Sequence, residues 1–154
     1  MTRAGLCCLV GLVLFPSTAS AQLNLELSVS PRTITFASAN PDTTPTVSAA
    51  PISVTIRVRG LLAIFGQWHL SVLADGDLVS GPSTIPITNV TWTALPAPPF
   101  QNGTLSRTTA QRMAGGSGQL NPAQTGTVTF HFANSWLYDA GTYTQTLTFT
   151  LSSP

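Results

Sequence analysis

The chain has 154 residues, of which only 7% are charged, and its six basic side chains nearly balance its five acidic ones. All six basic residues are arginine, so lysine is absent from the sequence. This balance offers no basic patch, which argues against a nucleic-acid partner and against electrostatic binding to an anionic membrane. A near-neutral chain rich in Ser and Thr instead favours a protein that assembles or lies in a crowded surface layer.

The first 21 residues have the features of a secretory signal peptide. Arg3 is followed by an apolar run over residues 6–15 and by a small-residue cleavage site over 19–21. The run is too short to span a membrane. We therefore predict a signal peptide over 1–21 and one mature domain over 22–154. The mature domain is expected to be secreted, periplasmic or at the cell surface, without a transmembrane anchor.

Both cysteines, Cys7 and Cys8, lie inside the predicted signal peptide. The mature chain would therefore have no disulfide and no thiolate for covalent catalysis or metal binding. Its length is sufficient to bury one sizeable core without such cross-links.

Period-two alternation predicts a series of short strands separated by turns that contain Pro, Gly or Asn. In chain order, the predicted strands cover residues 23–30, 33–36, 52–59, 67–73, 85–93, 104–110, 125–132 and 142–151. The proline-rich segments 38–51 and 94–103 are predicted loops, and the glycine-rich segment 113–124 has no clear pattern. No window has a convincing helical period. The sequence thus predicts an all-β fold, an immunoglobulin-like antiparallel β-sandwich of about seven or eight strands.

Few side chains are arranged for chemistry. His69 and His131 fall on the polar faces of their strands. They are either solvated surface residues or, if the two strands are neighbours, two ligands of a metal ion that would need a third ligand. Asp75 and Asp77 flank a glycine and indicate a turn; a calcium loop would need more oxygen ligands. There is no nucleophile elbow, phosphate loop or zinc-protease motif. We therefore expect no enzymatic activity, no metal and no cofactor.

Four aromatic residues are candidates for a sugar-binding platform: Trp92, Phe100, Trp136 and Tyr138. Trp136 and Tyr138 are the strongest candidates, because they lie in a predicted connection, where exposed aromatic side chains are often functional. The alternative is that all four aromatic side chains close the open ends of the sandwich.

The segment before the last strand resembles a corner of immunoglobulin-type domains. Asp139, Gly141 and Tyr143 match its Asp-x-Gly-x-Tyr pattern, although Gln145 stands where that family has a cysteine. The resemblance implies that the Tyr143 hydroxyl hydrogen-bonds to nearby backbone and that 142–151 is the sixth strand of the fold. On that reading, the sequence to Pro154 contains no seventh strand.

A sandwich without its seventh strand resembles the chaperone–usher pilins of bacterial fimbriae, and other Thr-rich bacterial surface domains. In such pilins a strand from another subunit fills the gap, and an alternating N-terminal segment is the donor. Leu23, Leu25, Leu27 and Val29 resemble that row of donor side chains. Equally, residues 23–30 can pair within their own sandwich and complete it.

Two functional hypotheses follow. The first is a non-enzymatic structural or adhesive surface protein that associates with itself or with other surface proteins, as a fimbrial subunit does, through its N-terminal strand. The second is a monomeric carbohydrate-binding module that uses Trp136 and Tyr138.

Overall fold

The computed structural model describes residues 23–60 and 66–153, so the predicted signal peptide lies outside the described residues. The strands within these ranges, in chain order, are β1 Leu23–Ser30, β2 Thr33–Phe36, β3 Thr46–Ser48, β4 Ile52–Gly60, β5 Gln67–Ala74, β6 Leu78–Ser80, β7 Ser83–Ile85, β8 Val90–Leu95, β9 Gly103–Thr104, β10 Gln111–Ser117, β11 Leu120–Ala133 and β12 Tyr143–Ser152. In these ranges we find no helix with the length and apolarity needed to cross a membrane.

The strands form two antiparallel sheets of six strands each. The first sheet has the order β1-β4-β11-β8-β9, and β3 pairs with the far end of β11. The second has the order β10-β5-β12-β6-β7, and β2 pairs with β12. The predicted all-β sandwich is therefore confirmed. Eight of the strands have four or more residues, and the other four are shorter.

Six of the eight longer strands have the order of an immunoglobulin-type sandwich. Strands β1, β4, β11 and β8 take the places of A, B, E and D in one sheet, and β5 and β12 take those of C and F in the other. This arrangement makes β12 the sixth strand of that scheme.

The core lies between the two sheets because alternate side chains of each strand point inward. In β4, for example, Ile52, Val54, Ile56 and Val58 are all buried, while the residues between them are more exposed. No polar or charged residue is buried among the described residues. The interior is therefore apolar, and the chemically useful side chains lie on the surface and in the loops.

Two of the predicted strands differ in the structure. The predicted strand 85–93 is interrupted by a 3-10 turn over Ile87–Asn89, whose first amide donates to Asp77 Oδ1 at 3.0 Å. The predicted strand 104–110 ends early. Its middle forms a turn in which the Ser106 hydroxyl accepts hydrogen bonds from the amides of Thr108 and Thr109.

The glycine-rich segment 113–124, which has no clear pattern in the sequence, contains most of β10 and the first residues of β11, so β11 begins earlier than the predicted residue 125. Gly116 lies opposite Trp68 of β5, and a Cβ on Gly116 would meet the indole ring at 3.0 Å. The bulky side chain of the neighbouring strand thus covers the space that a side chain on β10 would occupy. Since this pairing joins distant parts of the chain, alternation within β10 itself could not reveal it.

Candidate functional site

The connection before β12 is held in a fixed shape by its own hydrogen bonds. The Tyr143 hydroxyl donates to the Asp139 carbonyl oxygen at 3.0 Å, which is the hydrogen bond that the immunoglobulin resemblance implies. The Asp139 carboxylate accepts a hydrogen bond from the Ser83 hydroxyl. Gly141 passes so close to Ser80 that a Cβ there would collide with its hydroxyl oxygen.

Replacing Tyr143 by phenylalanine should lower the free energy of unfolding by about 0.5–1.5 kcal/mol, the usual net contribution of one such hydrogen bond. Tyr143 is 3% exposed, so the ring of the variant should stay in place while the hydrogen bond to the Asp139 carbonyl is lost. Urea unfolding measures the change. Tyr138→Phe is the matched control, because the Tyr138 hydroxyl contacts only the exposed side chain of Asn89 at 2.8 Å. Equal stability of Tyr143→Phe and the wild type would contradict this role.

A groove of about 460 Å³ lies beside this corner, at the end of the sandwich where β2 and β11 stop and β12 begins. The polar residues Asn40 and Asn134 line it together with the aromatic residues Phe132, Trp136, Tyr138 and Tyr143. Asp139 is the charged residue of its lining. We call this the end groove.

The structure brings Trp136 and Tyr138 together in the end groove. Trp136 is 70% exposed, and its indole N–H donates to Asp42 Oδ1 at 3.0 Å. Tyr138 is half-buried and packs edge-on against Phe132, with ring centroids 6.3 Å apart. The two predicted residues thus contribute to the surface of one groove, Trp136 from an exposed position and Tyr138 from a half-buried one.

The other two aromatic candidates do not belong to this surface. Trp92 is 1% exposed and donates its indole N–H to the Gln101 carbonyl oxygen at 2.8 Å. Phe100 is 2% exposed. Trp92 fills the core because β8 turns its side chain inward, and Phe100 does so because the following loop folds back over β11. The prediction that all four aromatic residues form an exposed platform is therefore wrong.

Sequence reasoning missed the residue that joins the two sides of the end groove. The Asn134 side-chain amide donates to the carbonyl oxygens of Ala39 and Thr44, at 3.0 and 3.2 Å. These bonds hold the 39–44 loop against the end of β11. Their partners are about ninety residues apart in sequence, so no local pattern could have indicated the contact.

A second feature lies at the other end of β12. Residues 147–152 pair with 69–74 of β5 on one side. On the opposite side, β2 pairs only with 143–146, and the Leu147 amide makes one more bond, to the Arg32 carbonyl oxygen at 2.9 Å. Past that bond, this side of β12 has no pairing strand in the described part of the chain. We call residues 148–152 on this side the open edge.

The predicted donor strand lies next to the open edge but pairs elsewhere. All eight residues of β1 pair with β4, from Leu23 opposite Gly60 to Ser30 opposite Ser53. Glu26 on its outer face forms ion pairs with Arg57 and Arg59. These exposed pairs contribute about 0–1 kcal/mol each. Leu23, Leu25, Leu27 and Val29 are only half-buried against the core.

The histidines and the paired aspartates make protein contacts on separate surfaces. His131 lies on the outer face of the first sheet between Ser48 and Thr93, and His69 lies on the outer face of the second sheet against Ser152. Because these faces are on opposite sides of the sandwich, the two imidazoles cannot share a metal. Asp75 accepts from Thr148, and Asp77 forms a salt bridge with Arg107 at 2.8 Å.

Two features of the described residues are thus candidates for binding another molecule, the open edge and the end groove. Within residues 23–60 and 66–153, no group of three or more His, Cys, Asp or Glu side chains is arranged to hold a metal ion. Comparison of the chain with protein-family models, curated proteins and solved structures gave no match.

Proposed function

We propose that this protein is a non-enzymatic structural or adhesive β-sandwich, secreted or at the cell surface, that joins other chains by strand addition along the open edge. The observation that carries this proposal is the place of β12 in the second sheet. β12 has the position of the sixth strand, with β5 beside it. In the described part of the chain, no strand occupies the seventh position next to residues 148–152 of β12.

The backbone of the open edge has hydrogen-bonding groups that face outward. Successive residues of a strand direct their N–H and C=O groups to opposite sides. The Thr146 carbonyl accepts from Asp75 on the β5 side, whereas the Leu147 amide donates to Arg32 on the other side. By this alternation, Phe149 and Leu151 direct their backbone groups toward the open edge, where an added strand would pair with them.

The side chains beside the open edge favour an apolar partner strand. Phe149 and Leu151 point toward the core, as the buried Leu147 does, but they are only half-buried. The inward row of β1 in the first sheet is equally half-buried, and β1 lies close to β12. A strand added to the open edge would cover the exposed parts of Phe149 and Leu151, at roughly 25 cal/mol per Å² of apolar surface removed from water.

The donor that we propose is β1 of a second copy. Its Leu23, Leu25, Leu27 and Val29 alternate with polar residues, so one face could fill the gap while the other remains solvated. Within its own chain, β1 is an edge strand joined only to β4. Exchange between copies therefore requires one strand pairing to open.

The mass of the secreted protein in solution, measured by size-exclusion chromatography with light scattering, tests the proposal. We expect multiples of the chain mass, and a ladder on an unboiled denaturing gel. Leu151→Lys should abolish the ladder, because an inward-facing charge at a strand edge would be buried by the incoming strand. Thr150→Lys is the matched control, since the exposed Thr150 side chain lies on the outer face, and it should leave the ladder intact.

Deletion of residues 22–30 tests the donor separately. The shortened chain should fail to assemble, because it keeps the open edge but lacks the strand that fills it. A wild-type protein that is a clean monomer would overturn strand addition as the function. A shortened chain that still assembles would show that β1 is not the donor.

A further inference from the structure

We infer that the end groove is a binding site for an uncharged saccharide, a property separate from strand addition. The end groove lies where β12 begins, whereas the open edge occupies residues 148–152. An assembled protein would therefore keep the end groove accessible.

Trp136 provides the surface on which a sugar ring would stack. A flat aromatic side chain that is 70% exposed leaves apolar area in water, and such area on a loop is typical of a recognition site. The bond from its indole N–H to Asp42 restricts the ring to one orientation. Little conformational entropy is then lost when the C–H face of a pyranose packs against it.

The rest of the end groove matches the size and chemistry of a small-ligand site. Its volume of about 460 Å³ falls within the range of roughly 300–1,000 Å³ that is usual for such sites. Tyr138 and Phe132 provide apolar walls, and their edge-to-face contact fixes their relative position. Asn40 and Ser135 also line it and supply an amide and a hydroxyl group of the kind that pair with sugar hydroxyls.

The charge of the end groove selects among saccharides. Asp139 is the only charged side chain in its described lining, and the Asp42 carboxylate accepts the indole N–H of Trp136. Neither Arg nor His belongs to that lining, so a sugar carboxylate would meet negative charge without a cation to pair with. The groove therefore suits uncharged hexoses and pentoses and disfavours uronic acids.

Isothermal titration of the secreted protein with defined oligosaccharides tests this inference. The probes are neutral gluco-, manno-, xylo- and N-acetylchito-oligosaccharides, with tetragalacturonate as the acidic counterpart. We expect at least one neutral probe to bind, and to bind more tightly than tetragalacturonate. Trp136→Ala should weaken that binding by about tenfold or more, on the scale where 1.4 kcal/mol is a factor of ten. Leu137→Ala is the matched control, because Leu137 is 89% exposed on the same loop and is not part of the groove lining.

Asp139→Asn tests the electrostatic part of the inference. This variant removes the carboxylate charge and should narrow the preference for the neutral probe over tetragalacturonate. The inference is overturned if no neutral probe binds, if tetragalacturonate binds most tightly, or if Trp136→Ala binds as well as the wild type. None of these outcomes depends on the assembly state, which is measured by light scattering on the same samples.

Discussion

Replacing Trp92 by alanine is expected to lower the free energy of unfolding by about 3–5 kcal/mol. The Trp92 side chain is 1% exposed and packs against Phe130, with ring centroids 6.2 Å apart. Its loss would leave a large cavity between the sheets and would also leave the Gln101 carbonyl without the indole N–H that donates to it at 2.8 Å. Since small domains have a total stability of about 5–15 kcal/mol, this single change would remove a large part of it.

Urea unfolding followed by far-ultraviolet circular dichroism measures the effect of Trp92→Ala. Trp136→Ala is the control, because it deletes the same side chain from a position that is 70% exposed, and it should change stability by less than about 1 kcal/mol. Similar losses in the two variants would contradict the assignment of one tryptophan to the core and the other to the surface.

Replacing Gly126 by alanine is expected to destabilise the fold by about 1–3 kcal/mol, the usual cost of overfilling a packed core. Gly126 occupies an inward position of β11, in the same row as the buried Val128 and Phe130. The Phe100 ring lies directly over it, and a Cβ at this position would collide with that ring. The ring is itself buried, so it cannot move aside into solvent.

A double variant tests whether that collision is the cause. Phe100→Leu alone should be destabilising, but combining it with Gly126→Ala should cost less than the sum of the two single changes, because the smaller side chain leaves room for the methyl group. Thr127→Ala, at the exposed neighbouring position, controls for changes in strand propensity. Strict additivity of the two core changes would show that the ring does not limit position 126.

The open edge and the end groove lie at opposite ends of β12, so the two proposals can be separated by experiment. Trp136→Ala should leave the mass distribution of the protein unchanged. Leu151→Lys should leave saccharide binding unchanged. A variant that affected both properties would indicate that the added strand and the saccharide meet, which their places along β12 do not predict.

Local alternation was sufficient to predict much of this fold. A period of two places every second residue on the same face, so residues 52–59 and 142–151 could be assigned as strands with known inner faces before any pairing was known. The corner at Tyr143 was implied by the immunoglobulin resemblance of a short motif, and its hydrogen bond reaches a residue only four positions earlier. In each case the interacting groups lie close together along the chain.

Pairing and burial, in contrast, depend on residues that are far apart in sequence. Local pattern placed Trp136 in a connection, but only the assembled sandwich shows that Trp92 is enclosed by the core while Trp136 is exposed beside Asp42. Strand β10 pairs with β5 where Trp68 covers Gly116, and one side of the end groove is held by bonds from Asn134 to a distant loop. Similarly, alternation showed that β1 could be a strand, but its register with β4 and the open edge of β12 emerge only when both sheets are assembled. Burial and strand pairing are decided by tertiary packing, because each side chain and each strand must fit the space that the other strands leave.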